Sequence, residues 1–218
     1  SPEAICLPYK LILGNFIEAI EEGTDYVAMI SSPGICRLGE YGTNIQTALK
    51  DMGYETKYVE LSLYDGIKGL YDFIKKLTGK NDIIMIAKTI NILIRTIFVL
   101  DDLETALSYY RAREIKVGDA ERNFKKGLKY IADVKHSREL KEAKRKALAE
   151  IAKTKIDKDR DVLYVDLTGE IFVVLDYFSN QNIERELGKM GVQTRRSLTV
   201  GSFLKDAIIP KFFRKGET

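Results

Sequence analysis

Two cysteines, Cys6 and Cys36, are the whole thiol inventory of this 218-residue chain, and they are the residues best suited to chemistry. Thiolates are the ligands that soft metals and iron–sulfur clusters require. The Cys-x29-Cys spacing matches no compact metal motif, and two thiolates leave a tetrahedral site incomplete. Three uses therefore stand open: small buried hydrophobes, partial metal ligands or a redox pair. Cys6 lies in Ile5-Cys6-Leu7-Pro8-Tyr9-Lys10, just ahead of a helical pattern in which Pro8 suits the first turn. Cys36 lies in Gly34-Ile35-Cys36-Arg37-Leu38-Gly39, between a strand-like run and the next helix. Each falls beside a helix N-terminus, where exposed amide N–H groups favour an anion, and Lys10 and Arg37 add positive charge. For both cations the plainer reading is an ordinary surface ion pair.

Other residues offer less. Asp166 and Glu170 bracket the end of a strand-like run, at an edge where ligands bind in open α/β sheets. Paired carboxylates there would suit acid–base work, while the plainer reading is capping of the following helix. His136 is the sole histidine, which argues against His-based zinc sites and Ser-His-Asp chemistry, and it reads as a surface or capping residue at a helix junction. No P-loop is present and no Gly-x-Gly-x-x-Gly follows a strand, so the chain is not expected to bind ATP itself. Residues 119–160 carry 14 Lys+Arg against 8 Asp+Glu, a local excess of 6. A basic helical arm of this kind would suit nucleic acid, a membrane surface or the phosphates of a CoA-type ligand. Sparse aromatics and pairs such as Glu142–Lys146 favour a solvated helix face instead, so neither nucleic acid nor membrane is expected as a partner.

The elements that must position these groups alternate at both ends of the chain. Helical spacing runs over 7–22 and 38–52, closed by Gly23 and Gly53, with strand patterns over 25–31 and 54–61. That order is the βαβ signature of a parallel sheet, and the first strand reads as buried. Residues 65–78, 82–113, 119–134 and 137–155 then read as four helices. Strand patterns return over 161–168, also of the buried kind, and over 192–199. Residues 171–177 fit helix or strand, while 182–190 and 203–213 read as helices. The expected fold is a doubly wound, mainly parallel α/β sheet of Rossmann- or flavodoxin-like three-layer type with a large helical insertion. Its parts are residues 1–63 with both cysteines, the insertion at 64–158, and 159–218 returning to the sheet.

Composition agrees with a globular protein. With 45% hydrophobic and 31% charged residues, the chain is not disordered, collagen-like or a disulfide scaffold. A net charge of +3 is too near balance to argue for nucleic acid. The apolar run at 83–100 is interrupted by Lys88, Thr89, Asn91, Arg95 and Thr96, and reads as a buried soluble helix rather than a membrane span. The opening residues lack the pattern of a signal peptide, so a reducing cytoplasm is expected, where a structural disulfide is disfavoured. Starting at Ser1 and stopping at Thr218, the chain reads as a piece of a longer protein.

Several of these residues together resemble a known family. Cys6, Pro8 and Lys10; Gly14, Asn15, Phe16, Glu18 and Ala19; and Gly34, Cys36, Arg37, Gly39 and Tyr41 follow its first block. Gly169-Glu170-Ile171, and Asn182-Ile183-Glu184 through Gly191, follow a second, weaker one. The pattern is similar to the 2-hydroxyacyl-CoA dehydratase component family, nearest its branch of CoA-substrate-specific enzyme activase-related proteins. It departs at Ile35, where the family often has Pro, and at Glu40, where an aromatic is common. The resemblance implies a [4Fe–4S] cluster on three cysteines, Cys6 and Cys36 being two of its ligands. The third belongs to a later Cys-x-Pro-Glu-type segment that the chain does not reach. Lys10 and Arg37, with Gly34 and Gly39, would tune the cluster, and Glu170 would stand at the ligand edge. As partners the resemblance implies an ATP-dependent activator protein that supplies electrons and an acyl-CoA substrate, and it leaves an oligomer open. The function it implies is an iron–sulfur lyase or reductase-like component, inactive as a fragment. The alternative is a non-catalytic binding or interaction module of the same fold without metal.

Overall fold

The structure, a computed structural model, describes residues 6–31, 37–62 and 64–208. It is mixed α/β, and the described residues form nine helices and two parallel sheets of two strands each. The chain divides into two compact units, Ser1–Ala87 with Lys205–Thr218, and Lys88–Leu204.

In the first unit, helix α1 (Leu7–Glu21) starts with Pro8 in its first turn and stops before Gly23, whose φ of 93° only glycine adopts readily. Strand β1 (Tyr26–Ser31), helix α2 (Leu38–Asp51) and strand β2 (Lys57–Ser62) then form the expected βαβ unit. The strands pair in parallel, Val27 against Tyr58, Met29 against Glu60 and Ser31 against Ser62. Those six side chains share the face that α2 covers, because Gly42 of α2 lies directly under the Tyr58 hydroxyl. A Cβ at Gly42 would come within 2.2 Å of that oxygen, so the approach depends on glycine. The expectation of a strand buried on both faces needs correction. In β1 only Val27, Met29 and Ser31 are buried, while Tyr26, Ala28 and Ile30 are exposed on the other face. Helix α3 (Ile67–Thr78) packs against β2 and closes this part of the chain.

Helix α4 (Ile83–Arg113) runs through the division between the units. By length and composition it is long and apolar enough to cross a membrane, a property that core helices share. Its burial is partial. Ile86, Ile90 and Val99 are buried, but Ile83, Ile84, Leu93 and Phe98 are exposed, so a fully buried helix is not what forms. Farther along, Val99 and Leu103 pack with Ile131 of α5 (Asp119–Ala132) and Leu140, Ala143, Ala147 and Ile151 of α6 (Leu140–Ile151). This is the core of the second unit.

The second sheet pairs β3 (Leu163–Leu167) with β4 (Val192–Arg196) in parallel, joined through short helices α7 (Ile171–Leu175) and α8 (Ile183–Lys189). Helix α4 borders it. The Ser108 hydroxyl donates to the Thr194 carbonyl at 2.6 Å and accepts from the Thr194 N–H at 3.1 Å. Both groups of one strand residue point to the same side, so α4 closes the edge of β4 that faces away from β3. Strand β3 is not the buried strand its apolar run suggests: Leu163 is 66% and Tyr164 67% exposed. Among the described residues it pairs with β4 alone. Helix α9 (Val200–Ile208) follows β4.

Candidate functional site

The first unit brings together residues that the sequence separates. Cys6 is the N-cap of α1 and Arg37 the N-cap of α2, and both line one cavity of about 590 Å³ with Tyr9, Glu40, Tyr41 and Asn44. Among the described residues neither helix start carries a side-chain cap, and α1 has no acidic residue in its first turn. The Cys6 thiol is free and half-buried, while Arg37 is exposed. Tyr9 and Tyr41 meet edge to face with centroids 5.5 Å apart, which fixes α1 against α2 beside the thiol. Farther from Cys6 the cavity follows α2 past Thr47 and Ala48 to Asp51. Those α2 positions, 37, 40, 41, 44, 47, 48 and 51, form one helical stripe.

The other expected site residues fall out as follows. Cys36 and Gly34 lie outside the described residues. Gly39 sits in the first turn of α2. Lys10 lies one turn into α1, its backbone N–H bonded to the Cys6 carbonyl at 3.4 Å, and is not among the residues lining the cavity. Glu170 is the N-cap of α7 and accepts from the Val173 N–H at 3.0 Å, which is the capping use. Asp166 does not pair with it. Its carboxylate takes a two-pronged bond from Arg195 at 2.8 and 2.7 Å on the exposed sheet face, which holds its carboxyl below the ordinary range. His136 is exposed at the turn before α6, where its N–H and that of Lys135 donate to Glu139. Among the described residues no group of three His, Cys, Asp or Glu is placed to hold a metal ion.

A second polar cluster lies at the carboxyl end of β4. The Arg196 guanidinium donates to Glu104 of α4 at 2.6 Å, to Glu184 of α8 at 3.0 Å, and to the Tyr177 hydroxyl at 3.0 Å. Burial works against the Arg196 charge, but the Glu184 hydrogen bonds and the Glu104 charge outweigh it and hold the guanidinium above its ordinary range. Burial raises Glu104 above the ordinary carboxylate range; Arg196 opposes this, and the charges of Glu184 and Asp101 reinforce it. The cluster joins residues up to 92 positions apart, so no local pattern announces it.

Set against protein-family models, curated proteins and solved structures, the chain matches none.

Proposed function

We propose that the chain is the iron–sulfur component of a 2-hydroxyacyl-CoA dehydratase- or reductase-like lyase system in the cytoplasm, receiving electrons from an ATP-dependent activator protein. The observation that carries this reading is that Cys6 and Arg37, the neighbour of Cys36 in the sequence, line one cavity at two helix N-termini. One thiolate donor supports a cluster at that point: the free, half-buried Cys6 thiol lines a cavity that also holds the Arg37 guanidinium. Cys6 and Cys36 would ligate a [4Fe–4S] cluster in the intact protein. Such a cluster supplies one-electron chemistry, here toward an acyl-CoA. Arg37 would favour the more negative, reduced state through its charge, as charges around a cluster do. Tyr9 and Tyr41 hold the α1 and α2 starts together beside the thiol. In the same reading each parallel strand pair belongs to a doubly wound three-layer sheet. Two parallel pairs support this, and the closed outer edge of β4 leaves the β3 side for further strands.

The test is iron content. Intact protein purified without oxygen is expected to be brown with about four irons per chain. Cys6→Ala is expected to lose most of that iron while keeping its far-UV circular dichroism. A colourless intact protein, or full iron in the variant, overturns the reading. The mixed polar and apolar stripe that runs on along α2 to Asp51, beyond any use by the thiol, favours a second reading as a metal-free interaction module. That reading predicts a colourless protein with or without Cys6.

A further inference from the structure

The Lys88–Leu204 unit sets one cation against three carboxylates. Arg196, its side chain 8% exposed, faces Glu104 of α4 and Glu184 of α8. Asp101 stands one turn before Glu104 on α4. The Tyr177 hydroxyl, from the segment between α7 and α8, bridges Glu104 and Arg196. Two carboxylates already exceed the charge of Arg196, so full ionisation leaves uncompensated negative charge in half-buried surroundings.

The three carboxylates are not equivalent. Asp101 is committed to the start of α9, accepting from the Thr199 hydroxyl at 2.6 Å and the Gly201 N–H at 3.0 Å. Glu184, 10% exposed, holds Arg196 through both Nε and Nη2. Glu104 is the more open of the two carboxylates on Arg196 at 33%, and burial, opposed by the Arg196 charge and reinforced by the Glu184 and Asp101 charges, favours a proton on it. A Cβ at Gly201 would lie 2.3 Å from Asp101 Oδ2 and 2.9 Å from the Phe98 ring, so the Asp101 carboxylate sits directly against the backbone of the first turn of α9. Like charges three positions apart on a helix repel.

We propose that Glu104 is a proton-operated latch on α9. With a proton on Glu104, Asp101 holds the first turn of α9; with that proton lost, the Asp101 and Glu104 carboxylates repel one another and the cap loosens. The latch is built from residues of the Lys88–Leu204 unit and does not depend on a metal.

Two measurements on the full chain test it: carboxyl carbon chemical shifts of Glu104, and hydrogen exchange at the Gly201 amide, both across pH. Glu104 is expected to titrate above the ordinary carboxylate range. The Gly201 protection factor is expected to fall several-fold through the same midpoint. In Glu104→Gln the protection is expected to stay constant. Titration of Glu104 at or below the ordinary range, flat protection in the parent chain, or unchanged pH dependence in the variant each overturns the latch. The parent-chain measurements decide the matter even where the variant does not fold.

Discussion

At the scale of single residues, Tyr58 separates packing from bonding. Its ring sits over Gly42, yet its buried hydroxyl has no hydrogen-bond partner among the described residues. Burial, with the Glu60 charge adding to it, pushes the phenol up from 10.0 to about 12. The neutral phenol is thus the folded form, and the folded chain keeps a proton that the unfolded chain gives up between those values. Stability therefore falls as pH rises through that window. Tyr58→Phe is expected to unfold at the same or a higher denaturant concentration at neutral pH, since no bonded partner is lost. It is also expected to show a smaller drop above pH 10 in denaturant titrations, the raised phenols of Tyr54 and Tyr177 supplying the remainder. An unchanged alkaline drop would assign it to another group. Neither the orphan hydroxyl nor the fit over Gly42 is legible in the sequence, because both depend on where α2 crosses the sheet. The starts of α1 and α2 are legible, because Pro8 suits a first turn and the apolar spacing of both helices is written locally.

At the scale of elements, most of the pattern is readable and the neighbours are not. Gly23 and Gly53 mark the ends of α1 and α2, and periodicity places α4 through α6. The run at 171–177 fits two periods; Glu170 decides it, capping a short helix. The apolar runs of β1 and β3 suggest burial on both faces, but an apolar run says nothing about which elements arrive to cover it. Ser108 shows how decisive one neighbour is. Its hydroxyl serves both backbone groups of Thr194, a residue 4% exposed. Ser108→Ala leaves a buried N–H and C=O without partners, and is expected to cost about 1–3 kcal/mol. Denaturant unfolding measures that loss, and faster amide exchange at Thr194 would locate it. A variant as stable as the parent would mean that water reaches this edge of β4.

At the scale of the molecule, the charged groups divide into two kinds with opposite pH dependence. Glu139, held by the Lys135 N–H, and Glu142, Asp166 and Glu186, held by Arg145, Arg195 and Lys189, all have carboxyls lowered below the ordinary range. Their contributions are full above the ordinary carboxylate range and fade as pH falls through the lowered values. Each is small, because the pairs are exposed. Glu104 runs the other way: its raised carboxyl makes stability decline as pH rises from the ordinary carboxylate range through its own midpoint. Thermal unfolding across pH is therefore expected to give its highest midpoint in mild acid, with Glu104→Gln flattening the limb above it. A parent chain with a level profile from mild acid to neutrality would contradict this balance. The one-sided border of the second sheet carries a practical consequence. With β4 shielded by a helix, the hazard of strand-to-strand aggregation concentrates on β3, where Leu163 and Tyr164 stand in solvent. A gatekeeping lysine for better behaviour in concentrated solution belongs at Leu163, because the Tyr164 hydroxyl accepts from Arg113 at 2.9 Å, and the opposite margin of the sheet can be left as it is.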